Sequence, residues 1–191
     1  MRLGDTVLKQ LFLDARTHRA WQQRDVPDGL LKELVDLAKM GPTSYNCLPA
    51  RIIFVKSKAA KERLKPHLSP ANVDKTVAAP ATAIIGYDLE FYAHPPKGQD
   101  PLKVFEGKPE MTLTAAIRNG SLQGGYFILA ARALGLDVGG MSGFDNAGVD
   151  KEFFAGTDVK SNFLCNVGYG DPAQVRPRGP RFAFEEMAQI L

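Results

Sequence analysis

Between Thr112 and Leu134 the residues Leu113, Ile117, Leu122, Tyr126, Leu129, Ala130, Ala133 and Leu134 recur at roughly helical spacing. A helix over this stretch is about 35 Å long, the longest regular pattern in the chain. Gly120, Gly124 and Gly125 lie inside it, and Gly135 stops it. Each glycine costs about 1 kcal/mol at a helix position. Three of them point either to close approach by another helix or a flat ligand, or to a mildly weakened core helix.

A second organising stretch is Gly41 to Val55, GPTSYNCLPARIIFV. Pro42, Thr43, Ser44, Asn46 and Pro49 are turn chemistry, and Ile52 to Val55 is the apolar, β-branched run of a buried strand. Polar side chains at the edge of a rigid sheet suit a small-molecule site; the alternative is an ordinary helix-to-strand connection. Further strands are expected at Thr82–Tyr87 and Asn162–Tyr169. Helices are expected from Asp5 or Thr6 through Phe12, from Asp28 to the stop at Gly41, over Lys56–His67, Ala71–Ala78 and Asp145–Phe154, and at the end through Phe184, Met187, Ile190 and Leu191. Leu136 to Phe144 (LDVGGMSGF) reads as a glycine-rich segment with unshielded N–H groups. It follows a helix rather than opening one, so it is not a dinucleotide fingerprint. Residues 88–110, with HPPKGQDP, have no period and are expected to be a variable surface excursion or lid on a single domain of residues 1–191.

The charge balance excludes some partners. Lys plus Arg is 24 against Asp plus Glu 21, a net charge of +3, too mild for a nucleic-acid binder. The basic residues are dispersed, apart from Arg176, Arg178 and Arg181, and a local cation cluster suits one phosphate better than a polyanion. Arg16, Thr17 and Arg19 add two guanidinium groups and a hydroxyl at a helix end, suited to phosphate oxygens or to the surface. Cys47 and Cys165 have no metal-ligand spacing, and His18, His67 and His94 have no visible metal partners. The start lacks a basic n-region and no stretch is long and apolar enough for a bilayer, so the expectation is a cytoplasmic protein with no membrane partner.

Arg16-Thr17-x-Arg19, Pro42-Thr43-Ser44-x-Asn46, Gly140-Met141-Ser142-Gly143-Phe144-Asp145 and Gly168-Tyr169-Gly170 before a basic tail occur in that order. Together they resemble the FMN-dependent nitroreductase-like family, whose pattern is R-S-x-R, P-S-S-x-N-x-Q-P-W, a glycine segment ending G-F-D, and a strand ending G-Y. ARTHRAW, GPTSYNCLPARI, ALGLDVGGMSGFD and SNFLCNVGYGD look most like the malonic semialdehyde reductase branch of pyrimidine-ring breakdown. The resemblance implies an α+β fold with a mixed sheet flanked by helices, an intertwined homodimer, and FMN at the interface. It implies Arg16 and Arg181, with Arg178 as a further candidate, for the FMN phosphate, and Thr17 for ribityl or phosphate oxygens. Arg19 is implied near the phosphate or near the pyrimidine edge of the flavin, where a cation favours the anionic reduced form. Thr43, Ser44 and Asn46 are implied for ribityl or ring atoms, and the backbone N–H of Ser142 or Gly143 for flavin N5.

Two departures bear on the substrate. Leu48-Pro49-Ala50 stands where the family has Q-P-W, and Ser142 where many nitro-reducing members carry an acid. The expected chemistry is ping-pong hydride transfer from NADH or NADPH through FMN to a small aldehyde acid, malonic semialdehyde, giving 3-hydroxypropionate, with no side-chain nucleophile. Lys97, Lys103 and Arg118 are the candidates for the substrate carboxylate. The alternatives are a broad nitro, quinone or ene reductase, or a flavin-binding homodimer without turnover.

Overall fold

A computed structural model describes residues 1–191. Its first helix is α1, Asp5–Leu8, which passes into a π-helical turn at Lys9–Leu13. Leu8 and Leu11 are half-buried on it, while Val7 and Phe12 stand exposed. α2, Asp28–Ala38, buries Leu31, Leu34 and Ala38, and its residues recur at helical spacing as expected. β1, Ala50–Val55, leads to α3, Lys58–Leu64, where the Ser57 hydroxyl caps Ala60 N–H at 3.1 Å. α4, Pro70–Val77, and β2, Ala81–Asp88, follow. α5, Pro109–Ala133, has 25 residues and is about 38 Å long. It begins at a proline, whose missing N–H costs nothing in a first turn. β3, Asp137–Met141, α6, Asn146–Phe153, β4, Val159–Gly168, and a short α7, Phe184–Met187, complete the chain.

The strands lie in the order β1-β2-β4-β3 and every ladder is antiparallel. The parallel component expected of a mixed sheet is limited here to the isolated bridge Thr17–Val138. α2 and α5 cover one face, where Leu34, Phe127 and Ala131 meet Ala83, Ile85 and Cys165. Leu64, Val149 and Phe154 cover the other, against Val55, Ile84 and Leu164. β2 is therefore buried on both sides, which explains the apolar run Ala83 to Ile85 at its centre.

The glycines of α5 have separate reasons. A Cβ on Gly124 would stand 2.5 Å from the Phe163 ring, and one on Gly120 would stand 3.0 Å from Tyr87 Cβ, so both admit the sheet. Gly125 faces open space. β3 forms within the glycine-rich segment, for which no strand was expected. Its Gly139 lets another backbone cross it, since a Cβ there would lie 2.6 Å from the His18 carbonyl. The excursion at 88–110 is anchored by Phe91 and Phe105, both buried against Cys47 and Ala116. The final helix is shorter than expected, and Phe182, Phe184, Met187 and Ile190 stand exposed.

Candidate functional site

The segment after the first helix is stitched to the sheet edge. His18 N–H donates to the Val138 carbonyl at 3.0 Å, and Gln22 N–H donates to the Tyr169 carbonyl at 2.8 Å. Trp21 Nε1 donates to the Lys75 carbonyl at 3.0 Å. His18 and Trp21 are buried beneath this crossing, while Thr17 and Arg19 project outward from it. The sequence ARTHRAW thus alternates between filling the edge and presenting cations.

Those cations converge. A hollow of about 270 Å³ is lined by Arg16, Thr17, Arg19, Arg132, Arg176, Arg178 and Arg181, with no carboxylate among its lining residues. Arg178 Nη2 donates to the Phe12, Leu13 and Ala15 carbonyls at 2.9, 2.7 and 2.8 Å. Arg16 Nη1 donates to the carbonyls of Leu13 and Ala15, and Arg132 Nη1 to that of Leu11 at 2.9 Å. The carbonyl-rich end of the first helix thereby holds three guanidinium groups in place. A guanidinium has five donors, so most remain unspent, and the buried Arg132 Nε has no partner at all. Burial, then the charge of Arg178, pushes Arg132 below its ordinary value. Burial, then Arg19 and Arg176, does the same to Lys75. Crowded like charges of this kind favour a bound dianion.

α4 extends this cluster along the sheet edge. Lys75 adjoins Arg19 and Arg176, and Asn72, one turn earlier, donates from Nδ2 to the Gly143 carbonyl at 2.7 Å. Ser69 N–H donates to the same carbonyl at 3.1 Å. A Cβ on Gly143 would lie 2.7 Å from Asn72 Nδ2, so this approach needs glycine. The N–H groups of Ser142 and Gly143 have no acceptor within the chain. The hollow, α4 and the Ser142–Gly143 backbone therefore form one continuous strip.

Thr43, Ser44 and Asn46 lie elsewhere. The Thr43 hydroxyl accepts from Leu48 N–H at 3.1 Å, Ser44 N–H donates to Asn119 Oδ1 at 2.8 Å, and Asn46 Nδ2 donates to Gln99 Oε1 at 2.8 Å. Tyr45, Asn46 and Leu48 take positive φ angles of 53°, 52° and 39°. For Tyr and Leu that backbone is strained, and such strain concentrates at binding sites. Asn119 ties this loop to the middle of α5, whereas Arg132 meets the hollow at its end. At about 1.5 Å per residue the two levels are about 20 Å apart along the helix. One chain alone does not bring the two sets into a common cavity.

Other features carry less chemistry. A concavity of about 720 Å³ is lined by residues that include Leu31, Val35 and Phe54, but its Asp28 and Lys56 already pair at 2.7 Å. Burial pushes both free thiols up, Cys165 to about 12, which leaves no reactive thiolate at neutral pH. No three His, Cys, Asp or Glu side chains are grouped to hold a metal ion. No helix is long and apolar enough to cross a membrane.

Sequence reasoning missed Arg132, Lys75 and Asn72 as site residues. Arg132 looks like the usual cation of a last helical turn, and α4 looks like a short amphipathic helix. The bond of Arg132 to the Leu11 carbonyl reveals the first, and the packing of α4 against the end of β3 reveals Lys75 and Asn72.

Comparison with known proteins gives the family and the fold. Residues 13–169 match the Nitroreductase family. A protein of Burkholderia lata, provisionally named NADH dehydrogenase/NAD(P)H nitroreductase, is 58% identical over 191 residues, covering 98% of each chain. A Stenotrophomonas maltophilia protein with the same provisional name is 57% identical, covering 98% of this chain and 97% of its own. Among solved structures, one described as a nitroreductase in complex with FMN, from Exiguobacterium sibiricum, superposes with a TM-score of 0.81 at 16% identity, covering 100% of this chain and 98% of its own. The chain belongs to the Nitroreductase family, and it is an oxidoreductase with that family's α+β fold.

Proposed function

We propose that this oxidoreductase binds FMN and uses NADH or NADPH to reduce a small aldehyde acid, with malonic semialdehyde giving 3-hydroxypropionate. The observation that carries the flavin assignment is the arginine hollow without a carboxylate, continuous through Lys75 and Asn72 with the unspent N–H groups of Ser142 and Gly143. A phosphate-tailed, flat, hydrogen-bond-accepting molecule matches that strip. The hollow is small for a ring system and suits the phosphate end. Arg16, Arg178 and Arg181 would hold the phosphate, and Thr17 the adjoining oxygens. Arg19 and Lys75 would supply fixed positive charge farther along, and Gly143 would let the backbone come close to the ring.

FMN, when bound, supplies two-electron chemistry, accepting a hydride equivalent from NAD(P)H and delivering it to the acceptor. The overall balance for an aldehyde acid is R–CHO + NAD(P)H + H⁺ → R–CH₂OH + NAD(P)⁺. The protein's part is to bind, orient and charge-stabilise, which needs no side-chain nucleophile. Thr43, Ser44 and Asn46 come from a second copy in this reading. α5 supports that arrangement, because Met111, Leu113, Ile117, Leu122 and Tyr126 stand exposed on it. Gly125 lies about midway between the levels of Asn119 and Arg132. A two-fold crossing centred there would bring the partner's loop level with this chain's hollow.

The aldehyde-acid substrate rests on the sequence resemblance, together with Ser142 and Ala50 at the departures from the family pattern. The relatives' provisional names favour a second reading, a broad NAD(P)H nitro, quinone or ene reductase on the same site. Stopped-flow mixing of the reduced holoprotein with malonic semialdehyde, a nitrofuran and a quinone separates the two. Fast reoxidation by the aldehyde acid alone supports the first reading. Fast reoxidation by the nitrofuran or the quinone selects the second. A flavin that NAD(P)H does not bleach overturns both.

A further inference from the structure

A second hollow, about 400 Å³, adjoins the strained turn and is lined by residues that include Ser44, Tyr45, Phe105, Glu110, Arg118 and Asn119. Its walls are fixed. Asn119 Oδ1 receives Ser44 N–H at 2.8 Å, and Asn119 Nδ2 donates to the Ala115 carbonyl at 2.8 Å. Phe105 is buried, and Tyr45 meets its ring edge-on with centroids 5.9 Å apart. Tyr45 reaches that position on a left-handed backbone that only the surrounding bonds sustain. Gln99 holds the turn from the other side, accepting from Asn46 Nδ2 and donating to the Tyr45 carbonyl at 3.2 Å.

Within this framework Arg118 is unspent. It makes no ion pair with any carboxylate of the chain, unlike Arg51, which meets Asp88 at 2.6 Å. Glu110 is the one carboxylate on the wall, and it sits two helical turns away, about 12 Å along α5. Lys97 and Lys103 do not line the hollow. A planar donor fork beside two aromatic rings and a rigid turn is a receptor for a carboxylate on a small organic molecule.

We propose that this hollow is the acceptor subsite and that Arg118 selects carbonyl acceptors bearing a carboxylate. The inference rests on the flavoenzyme reading, because the hollow shares Ser44 with the loop assigned to the flavin. It adds a binding contact and no new chemical step. Arg118 pairs with the carboxylate, Tyr45 and Phe105 cover the carbon skeleton, and the carbonyl is left facing the flavin side.

The test uses FMN-reconstituted protein and two unreactive probes, benzoate and its neutral isostere benzamide, titrated by calorimetry. Wild type should bind benzoate more tightly than benzamide. Arg118→Gln should weaken benzoate by roughly 10- to 100-fold, the loss of a charge-assisted pair, with a much smaller change for benzamide. Arg118→Lys should restore part of the preference, and Glu110→Gln should shift it the other way, tightening benzoate. Parallel losses for both probes in Arg118→Gln, or no benzoate preference in wild type, overturn the inference. NAD(P)H bleaching of wild-type flavin is followed separately. A protein that bleaches normally but shows no carboxylate preference refutes the subsite alone, whereas one that does not bleach refutes the flavoenzyme reading.

Discussion

Arg181→Gln isolates the phosphate interaction from the fold. Arg181 hydrogen bonds only the carbonyls of Gly179 and Pro180, at 3.1 and 2.9 Å, both within its own tail. No packing depends on it, and it still lines the hollow. A hydrogen bond to a charged group is worth about 1.5–3 kcal/mol. At about 1.4 kcal/mol per tenfold change, losing one such bond weakens FMN by roughly 10- to 150-fold. Riboflavin has the same ring and ribityl chain without the phosphate, so its affinity should stay the same. The assay is quenching of flavin fluorescence on titrating deflavinated protein with each flavin, at low and high salt. Added salt should weaken FMN more than riboflavin in wild type, and that difference should shrink in the variant. An equal loss for both flavins, or no loss for FMN, would refute a phosphate role for the hollow. Arg178→Gln provides the contrast. Its three carbonyl contacts tie the tail to the first helix, so it should also lower the thermal stability of flavin-free protein.

Three further outcomes follow from packing and charge. Lys61 is buried, its Nζ donates to the Thr76 carbonyl and the Thr82 hydroxyl at 2.7 Å each, and burial lowers it from 10.5 to about 8. Between those values the unfolded chain holds the extra proton, so stability rises with pH by at most about 3 kcal/mol; urea unfolding should show this rise in wild type and not in Lys61→Met. Gly124→Ala drives a Cβ to 2.5 Å from the Phe163 ring and should cost about 1–3 kcal/mol of overpacking in the same assay. Gly125→Arg meets open space in one chain, so it should leave the fold intact while shifting the protein to monomer in sedimentation and reducing FMN binding; an intact dimer would contradict a crossing at Gly125.

The first two strands and the long helix were legible because their pattern largely matches their environment. Ala83 to Ile85 is the fully buried apolar run of β2 and α5 repeats at helical spacing, whereas Ile52 to Phe54, expected to be buried, are half-buried because β1 is an edge strand. β3 was hidden because Gly139 and Gly140 have low strand propensity. Its strand character comes from pairing along its whole length with β4, with the His18 backbone bonded on its other side, tertiary contacts with no local signal. The strain at Tyr45 and Leu48 was equally invisible, since neither residue is typical of a left-handed turn. The cation cluster was half legible. Arg16, Arg19 and the tail arginines stand in recognisable groups, whereas Arg132 and Lys75 join them only through packing. The separation of Thr43, Ser44 and Asn46 from the hollow reflects about 20 Å of helix α5, a distance that motif order alone does not reveal.

The central claim is that one FMN is held by the arginine hollow of one chain and the Thr43–Asn46 turn of another. A crystal structure of the FMN complex tests it most directly. The account predicts the phosphate within hydrogen-bond distance of Arg16 and Arg181, the ring beside Gly143, and Ser44 or Asn46 of the partner subunit completing the contact. A phosphate seated away from the arginines, or a flavin enclosed by a single chain, would contradict it.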